Sequence, residues 1–261
     1  MKKIFGLAAI FTSAAMVSNV EAVTIDGITF NDGAVFEIAT VFEDKVLNVG
    51  DELTGLGQMS TIKASDGSTV TWEDGDNGRE LTYTFSGFIL EAVIPSNFGG
   101  GATLLFSGGS AAFYSDAAQD FTVTSLNQTT DFTSATGGNV WLTLDAGVQA
   151  TCSVANNCLN GAGTGITLIS TVNDSQLANV TSGSGNSFFE VTGGDAATNF
   201  DLNAIDGHDL KANFSFDDVL VTDFDLAGSA DIRTFAVPEP SIIALLGVGL
   251  LGFGFSRRKI K

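Results

Sequence analysis

The chain is short of positive charge, histidine, cysteine and proline. Its 261 residues include 11 Lys and Arg against 30 Asp and Glu, with 1 His, 2 Cys and 3 Pro. A single histidine, His208, excludes a multi-histidine zinc or non-haem iron centre within one chain. Cys152 and Cys158 are too far apart for a Cys-x-x-Cys redox centre, and with no second pair and no nearby histidine they do not make a thiolate metal site. All the acids except Glu21 lie between Val23 and Pro240, where the cations are Lys45, Lys63, Arg79, Lys211 and Arg233. That span therefore holds 29 acids against five bases, a formal charge of −24. Such a field repels phosphate backbones and argues against nucleic acid as a partner. It favours solubility and attracts divalent cations or cationic polymers.

The two ends differ from this acidic body. Residues 1–22 begin with Lys2 and Lys3, continue through an apolar stretch from Ile4 to Val17 and reach a small residue at Ala22. That order is a secretory signal peptide, cut by signal peptidase. At the other end Ile242 to Phe255 is uncharged, and Arg257, Arg258, Lys259 and Lys261 follow. Fourteen residues of helix span about 21 Å, short for a hydrocarbon core of about 30 Å. Flanking serines, snorkelling cations and local thinning would have to supply the difference. The cations hold that end on the cytoplasmic side as a membrane stop. Gly247, Gly249 and Gly252 have dinucleotide-loop spacing, but too little chain follows them to build a βαβ unit.

Val237-Pro238-Glu239-Pro240-Ser241, the apolar segment and Ser256-Arg257-Arg258-Lys259 together resemble the PEP-CTERM sorting signal of exopolysaccharide-producing Gram-negative bacteria. The resemblance covers residues 238–261 and implies recognition by exosortase, a membrane protease-transpeptidase. It makes Pro238, Glu239 and Pro240 recognition residues for that enzyme and implies transient inner-membrane contact, then a cell-surface or extracellular address. Two prolines one residue apart hold the backbone extended and stop a helix from propagating back into the body. Glu52-Leu53-Thr54-Gly55 and Glu80-Leu81-Thr82-Tyr83-Thr84-Phe85 are also similar to flocculation-associated members of that class.

The body reads as strands. Alternation puts Leu81, Tyr83 and Phe85 on one face, Ala212, Phe214 and Phe216 on another, and Val140, Leu142 and Leu144 opposite Trp141. Phe121-Thr122-Val123-Thr124 alternates too. Further strand candidates are Ala34–Val41, Phe88–Ile94, Ala102–Phe106, Gly165–Thr171, Ser187–Val191 and Val219–Phe224. Gly-rich Phe98–Ala102 and Thr181–Asn186 read as loops. With no helix-length amphipathic segment, the expected fold is all-β, an antiparallel β-sandwich or jelly roll, followed by a C-terminal hydrophobic helix. The expected organisation is an extracytoplasmic domain over 23–226, a linker over 227–237 and the sorting signal from 238. A parallel β-solenoid is the other architecture, although no fixed-period repeat calls for it.

Export favours a disulfide between Cys152 and Cys158. Asp74, Asp76, Asn77 and Glu80 place oxygen ligands around glycine turns, a pattern that suits calcium, although it departs from the EF-hand spacing and equally describes a hairpin turn. His208 lies in Asp206-Gly207-His208-Asp209, a turn, and no serine has the context of a nucleophile elbow. The expected role is non-enzymatic: a surface or matrix protein of biofilm or floc, with calcium and extracellular polysaccharide as candidate ligands. Two alternatives stand beside it, a jelly-roll carbohydrate-active hydrolase with Trp72 or Trp141 lining its groove, and a self-assembling envelope protein.

Overall fold

The computed structural model describes residues 22–31, 34–97, 99–124, 127–218 and 223–235. The residues before Ala22 that read as a signal peptide, the sorting signal and the hydrophobic segment after it lie outside them. Among the described residues no helix is long and apolar enough to cross a membrane.

In chain order the elements are β1 (Val23–Ile25), β2 (Ile28–Phe30), β3 (Val35–Glu43), β4 (Glu52–Lys63), β5 (Val70–Glu73), β6 (Glu80–Pro95) and β7 (Ala102–Asp116). Then follow α1 (Gln128–Ala135), β8 (Asn139–Gly147), β9 (Ala150–Thr151), β10 (Gly165–Ile166), β11 (Leu168–Val172), β12 (Ser182–Gly193), α2 (Ala197–Phe200), β13 (Leu210–Asp218) and β14 (Leu226–Thr234). Every pairing between strands is antiparallel.

Ten strands share one sheet, and that sheet closes. From β3 the hydrogen-bonded order runs through β4, β6 and β7 on one side, and through β14, β13 and β12 on the other. The gap between β7 and β12 is filled by two short strands set end to end. β11 pairs Leu168–Val172 with the start of β7, and β8 pairs with its later half from Ser110 to Ser115. On β12, β11 takes Gly183–Ser187 and β8 takes Phe188–Gly193. The joint is sealed by side chains: the Thr167 hydroxyl donates to the Gly108 carbonyl at 2.6 Å, and the Ser187 hydroxyl and Gln149 amide both donate to the Thr167 carbonyl at 2.8 Å. The result is a ring of eight staves. The antiparallel all-β reading holds, and opposite walls pack face to face as in a sandwich, but they are one sheet with no free pair of edges.

Side-chain alternation fills the ring. Tyr83, Phe113, Leu144, Leu168, Phe189, Ala212 and Ile232, drawn from six staves, belong to one core. One end is plugged by aromatic rings: Trp141 packs against Phe30, Phe36 and Phe200 at centroid distances of 5.8, 6.1 and 5.5 Å, and its indole N–H donates to the Ile25 carbonyl. Two segments cover the outer wall. α1 and the chain before it lay Phe121, Val123, Phe132 and Ala135 against Leu56 and Phe224. The loop closed by the Cys152–Cys158 disulfide, with Cα atoms 6.3 Å apart, packs on Ala92, Leu105 and Ile166.

Several local expectations are corrected. The linker expected over 227–237 is largely β14, whose Leu226–Thr234 pairs with β13 on one side and β3 on the other. Thr181–Asn186 is mostly the start of β12, its glycines giving room for facing Phe216 and Phe214. Val140 is exposed while Trp141 is buried, because a bulge opposite Phe113 and Tyr114 inserts one residue and turns the indole into the core. Phe121–Thr124 is not a strand: Phe121 and Thr124 donate their backbone N–H groups to the carboxylates of Glu80 and Asp131 instead of to a neighbouring strand. Within Val219–Phe224 the described residues form a bend, with Phe224 buried on Leu56.

Candidate functional site

The acidic turn is tied up by local bonds. Asp76 accepts the Glu73 backbone N–H at 2.9 Å, and Asn77 donates its amide to the Gly27 carbonyl at 2.8 Å. Asn77 itself has φ 55°, a left-handed turn conformation. Asp74 has its carboxyl raised by burial, partly offset by a hydrogen bond from Gln58. Glu80 starts β6 on the face opposite Leu81 and Tyr83, buried under the segment that precedes α1, where it accepts the backbone N–H groups of Asp120 at 3.1 Å and Phe121 at 3.2 Å. Burial pushes its carboxyl up, and the two N–H donors work against that rise. Among the described residues the acids that converge are Glu80, Asp116 and Asp120, each with an oxygen within 4.8 Å of the others. Of the four residues in the candidate calcium pattern, this group contains Glu80 alone. Asp116 and Asp120 are 36 and 40 residues further along the chain, a juxtaposition that only the β6–β7 pairing creates.

The isolated histidine closes a tight turn. Asp206 and Gly207 take φ of 53° and 86°, Ile205 and His208 bridge, and the imidazole Nδ1 meets Glu190 at 2.5 Å beside the Phe188 ring. Trp72 and Trp141 are both core residues, 0 % and 1 % exposed, so neither presents a face for a sugar to stack on.

Inside the ring lies a feature that no sequence motif marks. A cavity of about 80 Å³ is bounded by Tyr83, Phe85, Phe88, Phe113, Phe189 and Phe214 together with smaller apolar side chains. A second void of about 30 Å³ adjoins it toward the end where Asp44 and Lys45 sit, and Glu43 lines both. Glu43 is 5 % exposed, and its carboxyl has no hydrogen-bond partner among the described residues. Burial, and secondarily the charge of Asp44, push its carboxyl up to about 8. The other buried acids contrast with it. Glu91 accepts from Ser107 at 2.6 Å and from the Asn160 backbone at 2.9 Å, and Asp209 accepts from the backbones of Leu202, Asn203 and Val191. A pattern signal for Glu43 did exist, since alternation along Val41-Phe42-Glu43 puts the carboxyl on the same inward face as Val41.

Comparison with known proteins locates the routing signal. Residues 236–259 match the family model described as the PEP-CTERM protein-sorting motif, so the chain carries that motif near its C-terminus, consistent with an exosortase substrate. No curated protein and no solved structure matches the chain.

Proposed function

We propose that the protein is an exported component of the cell surface or extracellular matrix, released from a temporary inner-membrane hold by exosortase, and that it organises biofilm or floc. The sorting motif at 236–259 carries this reading. It is joined, through a single residue beyond β14, to a ring-closed acidic body. A closed ring suits an exposed life because each of its eight staves has a neighbour on both sides, so the long strands do not offer an open edge for unwanted pairing. The −24 charge of the span 23–240 favours recruitment of divalent cations, calcium among them, and through them of acidic matrix polysaccharide.

Deleting the gene and complementing with full-length and tail-less forms tests the proposal. Full-length protein should restore aggregation, whereas the tail-less form should be found in a different fraction without restoring it. Equal rescue by both forms would sink the claim that sorting is needed. Calorimetry with calcium and purified matrix polymer tests the ligand: no heat at millimolar ligand removes it. Concentration-dependent oligomers formed without glycan would favour the self-assembling envelope protein instead.

A further inference from the structure

The backbone of Glu43 pairs with β14 and β4, but its carboxyl holds no neighbouring group in place. A buried carboxyl without a partner costs stability, and two other buried acids, Glu91 and Asp209, use their oxygens to pin loops and backbone. Glu43 instead borders the void. Its one cationic neighbour along the chain, Lys45, is committed elsewhere: the ammonium sits 2.8 Å from Asp218. Tyr83, also facing the cavity, has its hydroxyl within 3.5 Å of the Thr40 carbonyl, to which it donates. The site therefore has apolar aromatic walls and one acidic oxygen pair, and it lacks a cation.

We propose that the interior of the ring is a binding site for a small primary amine with an apolar body, its ammonium paired with Glu43 and its carbon skeleton among Tyr83, Phe85, Phe88, Phe113 and Phe189. Eight-strand barrels enclose either packed side chains or room for one small ligand. A void of about 80 Å³ is the second case at the small end of the range, since an apolar cavity of about 150 Å³ takes up benzene. An ammonium suits this place on three grounds. It supplies the missing counter-charge, ring faces attract cations, and the acidic exterior raises the local concentration of cations while repelling anions. Binding requires the carboxylate, so at neutral pH the amine displaces the proton from Glu43. The groups that bear on this titration are Asp44, which raises it, and Tyr83, which stays neutral because burial and Glu43 hold its hydroxyl proton on.

The test uses the full-length protein with n-butylamine, and n-butanol as its uncharged counterpart, followed by ligand-observed NMR and by calorimetry in buffers of different ionisation enthalpy. The parent should bind n-butylamine saturably at millimolar concentration with release of a proton. Glu43→Gln should weaken the amine by about tenfold or more while leaving n-butanol unchanged. Ala111→Leu, which fills the void and keeps Glu43, should weaken both. Undiminished amine binding in either variant would place the amine on surface acids and overturn the proposal. So would n-butanol binding more tightly than the amine to the parent, or no saturable binding at all. If Glu43→Gln fails to fold, Ala111→Leu decides alone by the same criterion.

Discussion

Glu43, the last residue of β3, and Glu91, within β6, are both buried carboxyls, yet their surroundings drive them in opposite directions. At Glu91 burial opposes the charge, but hydrogen bonds from Ser107 and Asn160 outweigh it and hold the carboxyl below its ordinary value. An acid lowered in the folded state adds stability above its unfolded value, and that stability is lost as pH falls through the folded value. Glu91→Gln should therefore cost about 1.5 to 3 kcal/mol at pH 7, the worth of hydrogen bonds to a charged group, and less near pH 3. Urea unfolding at the two pH values measures the difference, and an equal cost at both would refute the assignment. Glu43 has the opposite sign. With its carboxyl raised from 4.5 to about 8, the folded state holds a proton that the unfolded chain has given up, so stability falls as pH rises through that window. Glu43→Gln removes the dependence. It should be close to neutral at pH 4 and stabilising by a few kcal/mol, at most about 5, at pH 9. A stability difference that does not grow between those pH values would contradict it.

At the scale of the element, β12 shows how much a pattern can hide. Gly183 and Gly185 read as loop residues because glycine is usually turn punctuation. In the sheet they lie opposite Phe216 and Phe214, and a Cβ on them would stand 2.4 and 2.5 Å from those rings. The glycines are there because the neighbouring strand's phenylalanines lean over them. Gly185→Ala should accordingly destabilise by about 1 to 3 kcal/mol through overpacking, despite alanine's better strand propensity, and thermal unfolding reads this directly. No change, or a gain, would mean that the ring moves aside freely. Where alternation is regular it was legible, as at Leu81, Tyr83 and Phe85, and at Ala212, Phe214 and Phe216. It failed at Trp141, where a bulge breaks the period of two, and at Phe121–Thr124, where the carboxylates of Glu80, from β6, and Asp131, from α1, take the backbone N–H groups. Neither a bulge nor the capture of a backbone N–H by a side chain outside the segment leaves a mark in the alternation itself.

At the scale of the whole molecule, closure makes β14 indispensable. The stretch 227–237 read as a linker because it lies just ahead of the sorting motif, and position alone cannot tell a small-residue strand from a tether. Gly228 explains the small residues: a Cβ there would meet the Ser215 carbonyl oxygen at 1.9 Å, so this stave is held tightly against its neighbour. The same closure made the cavity invisible beforehand, since it gathers side chains from strands far apart in sequence, while the Glu80, Asp116 and Asp120 group needs only the β6–β7 register. A chain ending at Leu226 would lack the stave that bridges β13 and β3, exposing two long edges and one side of the core. A chain ending at Phe235 keeps every pairing of the ring. With the signal peptide removed from both, the longer form should be monomeric and unfold cooperatively. The shorter should aggregate or lack a folding transition. Circular dichroism and size-exclusion chromatography distinguish the two, and a shorter form that folds as well as the longer would show that the ring does not depend on its last strand.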